Sequence, residues 1–355
     1  MRMKLSTILK NARTRTSGHM QESFVLGPLE AKMGSKETGF LPVGETLATE
    51  VKLPVVLIHG VENEQVLCVS ARVHGYECSS IEAVQQLIRL VEPARLRGTL
   101  IVVLVVNMPG FETRGPQGGI SAPFQCPIDA MNLNRIFPGN SEGTMSYKIA
   151  HDLMDKVVSK ADYYIDCHGG DLNEELSPYV IAAQTEDIEK FRETLEILAA
   201  SYDTDLVTIS RTPGSSVSAA VQMGKPSIVA EAGGAGRVDE NATRWHVEGI
   251  LNVMKRLKMT EGIPNPPRKQ RIRRRFNLTV RRGGICYTPL LGTRVRKGDE
   301  VGLVRDLFGN VLETIRSPVN GVVTFRRSLP PACTNDRVVG ITPDDDLVPR
   351  EHPYR

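Results

Sequence analysis

The sequence predicts an α/β fold, a mixed and mostly parallel sheet flanked by helices, followed by a small all-β barrel or sandwich domain. Short β-branched segments that are apolar at every position alternate with segments of helical period, as in strands covered on both faces by helices. The chain has 355 residues. Single hydrophobic cores usually stop growing below this length, so two domains are expected. Beyond about residue 270 the helical period is lost and glycines recur at short intervals, which is typical of small antiparallel β-structures.

The predicted elements follow in chain order. Residues 1–50 are polar and punctuated by glycines, and we predict an N-terminal extension packed on the main domain. From residue 51, strands and helices alternate, which implies right-handed crossovers. The predicted strands cover 55–58, 66–69, 100–106, 163–167, 179–183 and 228–231. The predicted helices cover 81–91, 145–160, 188–200 and 243–257, each with apolar residues at spacings of three and four.

A proline-rich segment separates two predicted domains. The α/β domain covers 51–262, and the linker covers 263–270, where Pro264, Pro266 and Pro267 cannot continue a helix. Residues 271–355 form the predicted C-terminal β-domain. Alternation along its first strand places three arginines on one face, Arg271, Arg273 and Arg275. We expect that face to be solvated or to contact acidic groups of the first domain. Nucleic-acid binding is disfavoured, because no aromatic residues interleave the arginines to stack on bases.

Composition excludes several classes of protein. The formal net charge is only +3, so we expect neither nucleic acid nor a membrane as partner. No apolar run approaches the roughly 18 residues of a spanning helix, and the basic N-terminus lacks the apolar core of a signal peptide. Six cysteines scattered along the chain fit a reducing compartment. The sequence therefore predicts a cytoplasmic protein without a disulfide framework.

The first candidate site lies where a predicted strand passes into a helix, at Ala71-Arg72-Val73-His74-Gly75-Tyr76-Glu77. His74 and Glu77 share a face at the start of the helix, so both can reach one metal ion. The pair alone is a weak signal. A capping histidine and a first-turn glutamate favoured by the helix dipole are the more common explanation of such a pair.

Two further strand ends strengthen the metal interpretation. His168 leaves the carboxyl end of the strand 163–167, and open α/β sheets place their ligand sites at that edge. Two histidines and one carboxylate, with a fourth position open, are typical of a catalytic zinc site. Glu231 ends the strand 228–231 beside a glycine-rich loop and is the candidate general base. The competing interpretation pairs Glu231 with Arg237 or Arg211.

A further motif suits substrate recognition. Asn134 and Arg135 lie between the two histidine motifs, and their planar donors match a carboxylate. This pair is therefore a candidate for binding an acidic end of the substrate.

In this order, the four motifs resemble those of the succinylglutamate desuccinylase/aspartoacylase family, whose catalytic domain is similar to zinc carboxypeptidases. The motifs are His74-Gly-x-Glu77, Asn134-Arg135-x-Phe-Pro-Gly, Asp166-x-His168-Gly-Gly and Glu231-Ala-Gly-Gly. The likeness extends from Gly39 to the C-terminus and is specific for the family, much less so for the substrate.

The resemblance implies roles for these residues. His74, Glu77 and His168 would bind one Zn²⁺ per chain, Glu231 would act as general base and acid, and Asn134 and Arg135 would bind the substrate carboxylate. The implied reaction is hydrolysis of a small N-acyl amino acid or related amide, such as an N-acetyl-diamino acid, an N-acyl-aspartate or an N-succinyl amino acid.

The sequence departs from the family pattern at three points. No arginine stands between residues 124 and 133 to stabilise the oxyanion, and Arg114 is the substitute candidate. Asn132 stands where aspartate is usual, and Tyr76 where a small polar residue is common.

Two other functions remain open at this point. One is a metallocarboxypeptidase acting on short peptides, and the other is a non-catalytic binding protein with the same fold. The C-terminal β-domain is expected to wall the metal cleft or to form a contact in a homo-oligomer.

Overall fold

The computed structural model describes residues 22–112, 125–266, 271–273 and 275–344. Its helices are α1 (Cys78–Leu90), α2 (Met108–Glu112), α3 (Met145–Asp152), α4 (Ile188–Glu193), α5 (Ser216–Gln222) and α6 (Glu240–Arg256). The strands of the N-terminal and central regions are β1 (Ser23–Leu26), β2 (Leu29–Lys32), β3 (Ser35–Glu45), β4 (Glu50–His59), β5 (Glu62–Ala71), β6 (Arg97–Val103), β7 (Tyr163–His168), β8 (Glu174–Ala183), β9 (Leu206–Ser210) and β10 (Ser227–Gly234). Those beyond residue 270 are β11 (Arg271–Ile272), β12 (Phe276–Thr279), β13 (Gly284–Tyr287), β14 (Arg294–Val295), β15 (Glu300–Arg305), β16 (Val311–Arg316), β17 (Gly321–Arg327), β18 (Pro331–Ala332) and β19 (Arg337–Pro343).

The centre of the molecule is a mixed sheet, to which thirteen strands contribute in the part of the chain that the structure describes. β7 lies between β5 and β10, and all three run parallel. The flanking pairs are antiparallel, with β4 on β6 and β8 on β10. The predicted α/β fold with a mixed sheet is confirmed.

Helices cover both faces of this sheet. One core contains Val84 and Leu87 of α1 together with Ile250 of α6, and these side chains pack on alternate residues of the central strands. The other core contains Ile149 of α3 and Val217 of α5, which pack on the remaining residues of the same strands. Burial on both faces explains why the strands are apolar at every position. None of the described helices is long and apolar enough to cross a membrane.

The predicted helices are interrupted rather than uniform. Helix α3 continues as a π-helical turn, Leu153–Val157, and then as a 3₁₀-helical turn, Val158–Lys160. Helix α4 continues in the same way through Thr194–Leu198 and Ala199–Ser201. Helix α6 begins at Glu240, where the carboxylate of Asp239 accepts a hydrogen bond from the Ala242 N–H.

The strands from β12 onward pair antiparallel and have their own core, as the sequence predicts, whereas the short β11 pairs in parallel with β9. One layer of this region is a four-strand sheet in the order β16, β15, β13, β18. The other layer continues the central sheet, because β17 pairs with β8 and places Phe325 opposite Leu176. The C-terminal strands therefore extend the central sheet beyond β8. The division of the chain into separate domains stays a prediction.

Candidate metal centre

The candidate site lies at the carboxyl edge of the three central parallel strands. Cys167 on β7 is the register partner of Ala71 at the end of β5, and His168 is the partner of Glu231 on β10. Backbone pairing therefore brings the three motifs to adjacent positions, as expected from the parallel order.

The backbone around His74 is shaped by two unusual positions. Arg72 has a left-handed conformation, with a φ of 58°, which turns the chain out of β5. Gly75 packs against α2 so closely that a Cβ would lie 2.6 Å from the carbonyl oxygen of Gly110. Glu77 stands at the N-cap of α1, yet its side chain makes no capping hydrogen bond. Its carboxylate points into the site, toward His74 and His168.

Three buried side chains converge at one point. Nδ1 of His74 lies 2.7 Å from Oε1 of Glu77, and Nδ1 of His168 lies 3.0 Å from the same oxygen. One ligand atom from each residue falls within 4.8 Å of the others. The structure thus brings His74, Glu77 and His168 together in an arrangement that could hold a metal ion.

The far nitrogen of each imidazole has its own polar partner. Nε2 of His168 donates to Oδ2 of Asp166 at 2.9 Å, and Nε2 of His74 lies 3.3 Å from Oδ1 of Asn132. A proton held at Nε2 leaves the lone pair of Nδ1 free for a metal ion. These contacts orient both rings toward the point where the three ligand atoms meet.

Asp166 is itself fixed by hydroxyl donors. The Ser70 hydroxyl donates to its Oδ1 at 2.7 Å, and the Ser216 hydroxyl donates to its Oδ2. The carboxylate is fully buried, so these bonds and the one from His168 compensate for its lost hydration.

The charges in this cluster are strongly coupled. Burial acts to raise the pKa of Glu77, but the His168 and His74 imidazoles outweigh it and lower this pKa to about 2. Burial acts to lower the pKa of His168, but Asp166 and Glu77 raise this pKa well above its ordinary value. Without a metal ion, a protonated His168 thus places a positive charge between the carboxylates of Asp166 and Glu77.

The residues fit a divalent metal ion. Oε2 of Glu77 is buried and has no hydrogen-bond partner among the described residues. An ionised carboxylate oxygen left without a partner costs free energy unless a cation lies beside it. Two imidazoles and one carboxylate are also the donor set of open zinc sites.

Glu231 lies in the same cavity. The sequence predicted that the strand ends at this residue, but β10 continues to Gly234. Burial raises the pKa of its carboxyl to about 8, against the opposing charge of His168. The arginines that the sequence offered as structural partners bind elsewhere: Arg237 donates to Glu175 and Arg211 donates to Gln184. Neither contact occupies the Glu231 carboxylate.

Asn134 and Arg135 line this cavity as well. Oδ1 of Asn134 accepts the N–H of Ser216 at 3.0 Å, which anchors the loop to the start of α5. Arg135 is exposed, and its Nη1 donates to the Asn134 carbonyl at 2.6 Å. The remaining candidate, Arg114, lies outside the described residues.

Sequence reasoning did not assign several residues of the site. Asp166 and Asn132 were quoted within motifs without a role, although strand alternation already places Asp166 on the same face as His168. Tyr179, Arg275 and Arg337 also line the cavity. These three residues reach the cavity because strands that are distant in the sequence pair with one another. The local sequence does not indicate that pairing.

Comparison with known proteins gives a consistent result. The profile of the succinylglutamate desuccinylase/aspartoacylase catalytic domain matches residues 63–257. N-alpha-acetyl-L-2,4-diaminobutyric acid deacetylase of Halomonas elongata is 24% identical over 328 residues, covering 88% of this chain and 93% of that protein.

Solved structures share the fold. The product-bound ectoine utilization protein EutE (DoeB) of Ruegeria pomeroyi matches with a TM-score of 0.76 at 22% identity, covering 87% of this chain and 94% of its own. A succinylglutamate desuccinylase of Silicibacter sp. TM1040 matches with a TM-score of 0.76 at 23% identity, covering 86% of this chain and 95% of its own.

Proposed function

The chain belongs to the succinylglutamate desuccinylase/aspartoacylase family by its catalytic domain, and from this premise we propose that it is a zinc-dependent amidohydrolase. It hydrolyses the amide bond of a small N-acyl amino acid to a carboxylate and a free amine. The relative from Halomonas elongata, a deacetylase of an N-acetyl-diamino acid, supports the amide class.

One observation carries the proposal: the three candidate metal ligands and the Glu231 carboxylate line one cavity of about 330 Å³. This volume lies at the small end of the range for ligand sites. It suits an acylated amino acid better than the peptide that a carboxypeptidase would accept.

His74, Glu77 and His168 hold the metal ion in this proposal. A bound Zn²⁺ supplies a Lewis acid that polarises an amide carbonyl and acidifies water. Asp166 and Asn132 keep the imidazole protons at Nε2 and so maintain the ligand geometry. Tight hydrogen bonding around Asp166 keeps the His168 ring from rotating.

Glu231 moves the proton. It accepts a proton from the attacking water and returns it to the leaving amine nitrogen. Burial raises the pKa of Glu231 to about 8 in the metal-free protein, and a nearby cation lowers this value. A carboxyl group that titrates near neutral pH can serve as both base and acid in one cycle.

Asn134 and Arg135 bind the substrate carboxylate. The contact from the Ser216 N–H fixes Oδ1 of Asn134, which leaves the two Nδ2 donors of this amide for the ligand. Arg135 adds a guanidinium at the cavity wall, and a planar pair of donors matches a carboxylate. Arg114 stays the proposed oxyanion donor on sequence grounds alone.

Release of free amine from N-acetyl, N-succinyl and N-formyl amino acids tests this function directly. The zinc-loaded protein should release amine from at least one class, and His74→Ala should not. His151→Ala, a half-buried histidine outside the site, is the matched control and should keep the activity. Hydrolysis of C-terminally unblocked peptides alone would overturn the proposal in favour of a carboxypeptidase.

A further inference from the structure

A second cavity adjoins the metal cavity. It is a groove of about 500 Å³, lined in part by residues of β8 and β9, and its volume lies within the range of ligand sites. The residues that line both cavities are Tyr179, Ile181, Ser210, Thr212 and Arg275. Because this wall is shared, the groove continues the metal cavity. The proposed metal ligands, base and carboxylate donors leave the groove without a role.

One face of the central sheet forms the floor of both cavities. Val229 on β10, which lines the metal cavity, is the register partner of Ile181 on β8. Ile181 is in turn the partner of Thr208 on β9, which lines the groove. Register partners point to the same face of a sheet, so the three side chains form one row. Across two strand spacings, the row leads about 10 Å away from β10.

The groove offers aliphatic surface along this path. Its aliphatic side chains are Ile181, Leu206, Ile209 and Ile272. The floor is firmly packed, because Leu206 and Tyr179 belong to one buried cluster. Apolar area that a ligand covers here is removed from water, which favours binding in proportion to the length of an apolar chain.

The charged residues of the groove are all cationic. Arg211, Arg273 and Arg275 line it, and none of the described residues in its lining is acidic. An arginine can lay its aliphatic stem along an apolar chain while the guanidinium stays in water. The groove therefore suits an uncharged chain on a substrate of net negative charge, and it disfavours a chain that ends in an amine.

We propose that the groove binds an aliphatic chain of the substrate, which enters it from the metal cavity. The inference rests on the proposed function and defines the substrate class as N-acyl amino acids with a chain of about eight carbons, enough to span roughly 10 Å. The metal cavity holds the amide and the carboxylate. The chain belongs either to the acyl group or to the side chain of the amino acid.

Binding of the two reaction products to the zinc-loaded protein tests the groove without turnover. Alkanoates from acetate to octanoate represent the acyl product, and amino acids from alanine to 2-aminooctanoate represent the amine product. Calorimetry on at least one series should show binding that tightens about two- to fourfold for each added methylene. Binding that does not depend on chain length in either series would overturn the proposal.

A variant that fills the groove separates this site from nonspecific binding. Thr208→Phe places a ring in the groove, so the longest member of the responding series should bind at least about tenfold more weakly. Thr314, a half-buried threonine on β16, lies outside the groove, and Thr314→Phe should bind this ligand like the parent protein. Equal chain-length dependence in Thr208→Phe and the parent would contradict the proposal.

A second variant keeps the test decisive if Thr208→Phe does not fold. Ile272→Gln removes aliphatic surface from the groove without filling it. The longest member of the responding series should bind this variant about three- to tenfold more weakly. Unaltered binding by Ile272→Gln would count against the proposal.

Turnover then identifies which part of the substrate carries the chain. N-acetyl-L-alanine is compared with N-octanoyl-L-alanine and with N-acetyl-2-aminooctanoate. The parent should prefer one of the long substrates, and Thr208→Phe should lower the ratio of long to short kcat/KM about tenfold, through KM. An equal loss on long and short substrates would contradict a chain-binding role. If the parent hydrolyses none of these amides, the proposed function fails, whereas product binding still decides whether the groove takes a chain.

Discussion

His168, the last residue of β7, and Glu231, which lies within β10, are register partners. Parallel pairing fixes their backbones about 4.8 Å apart, so a proposed metal ligand and the proposed base are held side by side by the central sheet itself. This position does not depend on a loop, and we expect it to persist when the metal ion is removed.

Asp166 should determine metal affinity through His168. Asp166→Asn keeps the shape of the side chain but weakens the acceptor for the proton on Nε2 of His168, an atom that lies 2.9 Å from Oδ2 of Asp166. Zinc affinity should fall about 10- to 100-fold, as is typical when the outer partner of a ligand is changed. Chelator competition measures this value, and the exposed Asp205→Asn is the control. Equal affinity in Asp166→Asn would exclude the orienting role.

Asn132 should act in the same way on His74. Asn132→Ala removes the oxygen that lies 3.3 Å from Nε2 of His74 and should weaken zinc binding about tenfold. Asn132→Asp restores the residue usual in the family and offers a charged acceptor, so this variant should bind zinc more tightly than the parent. Chelator competition measures both, and weaker binding by Asn132→Asp would contradict the assignment.

Gly75 should be required for the geometry of the first two ligands. In Gly75→Ala the new Cβ would lie 2.6 Å from the Gly110 carbonyl oxygen, so α2 or the His74 loop must shift. We expect a loss of about 1–3 kcal/mol in the free energy of unfolding, together with weaker zinc binding. Urea unfolding measures the first effect. Gly283→Ala, where the nearest atom lies 3.3 Å from the Cβ, should change neither property.

The metal-free protein should become less stable as pH rises through the titration of Glu231. Its pKa is raised by burial from an ordinary 4.5 to about 8. The folded state therefore holds a proton that the unfolded chain releases near pH 4.5. This contribution is complete below pH 4.5 and is lost as pH rises toward about 8.

Glu231→Gln should flatten this pH dependence. Urea unfolding with a chelator present, at several pH values between 5 and 8, compares the variant with the parent protein and with the exposed Glu248→Gln. Parallel pH profiles for Glu231→Gln and the parent would show that Glu231 does not titrate as described.

The sequence predicted the parts of the site that depend on local pattern. Strand ends and spacing were sufficient for His74, Glu77, His168 and Glu231, because parallel strands bring their carboxyl ends to one edge. The positions of these residues in the cavity agree with that expectation, whereas their catalytic roles stay predictions.

The remaining features depend on long-range pairing. Arg275 reaches the cavity only because β12 pairs with β19, β19 with β17, and β17 with β8. An arginine-rich strand is equally typical of a solvated face, so the contact of the Arg275 guanidinium with the Tyr179 ring, 5.0 Å from its centroid, could not be inferred.

Zinc content and amine release, measured together on the parent protein and on Glu231→Gln, test the central claim most directly. Both proteins should bind one zinc ion per chain. Only the parent should release amine from an N-acyl amino acid, with the variant slower by about 10²–10⁴-fold, the usual contribution of a general base. A parent protein that binds no zinc, or a Glu231→Gln variant that turns over normally, would contradict the account.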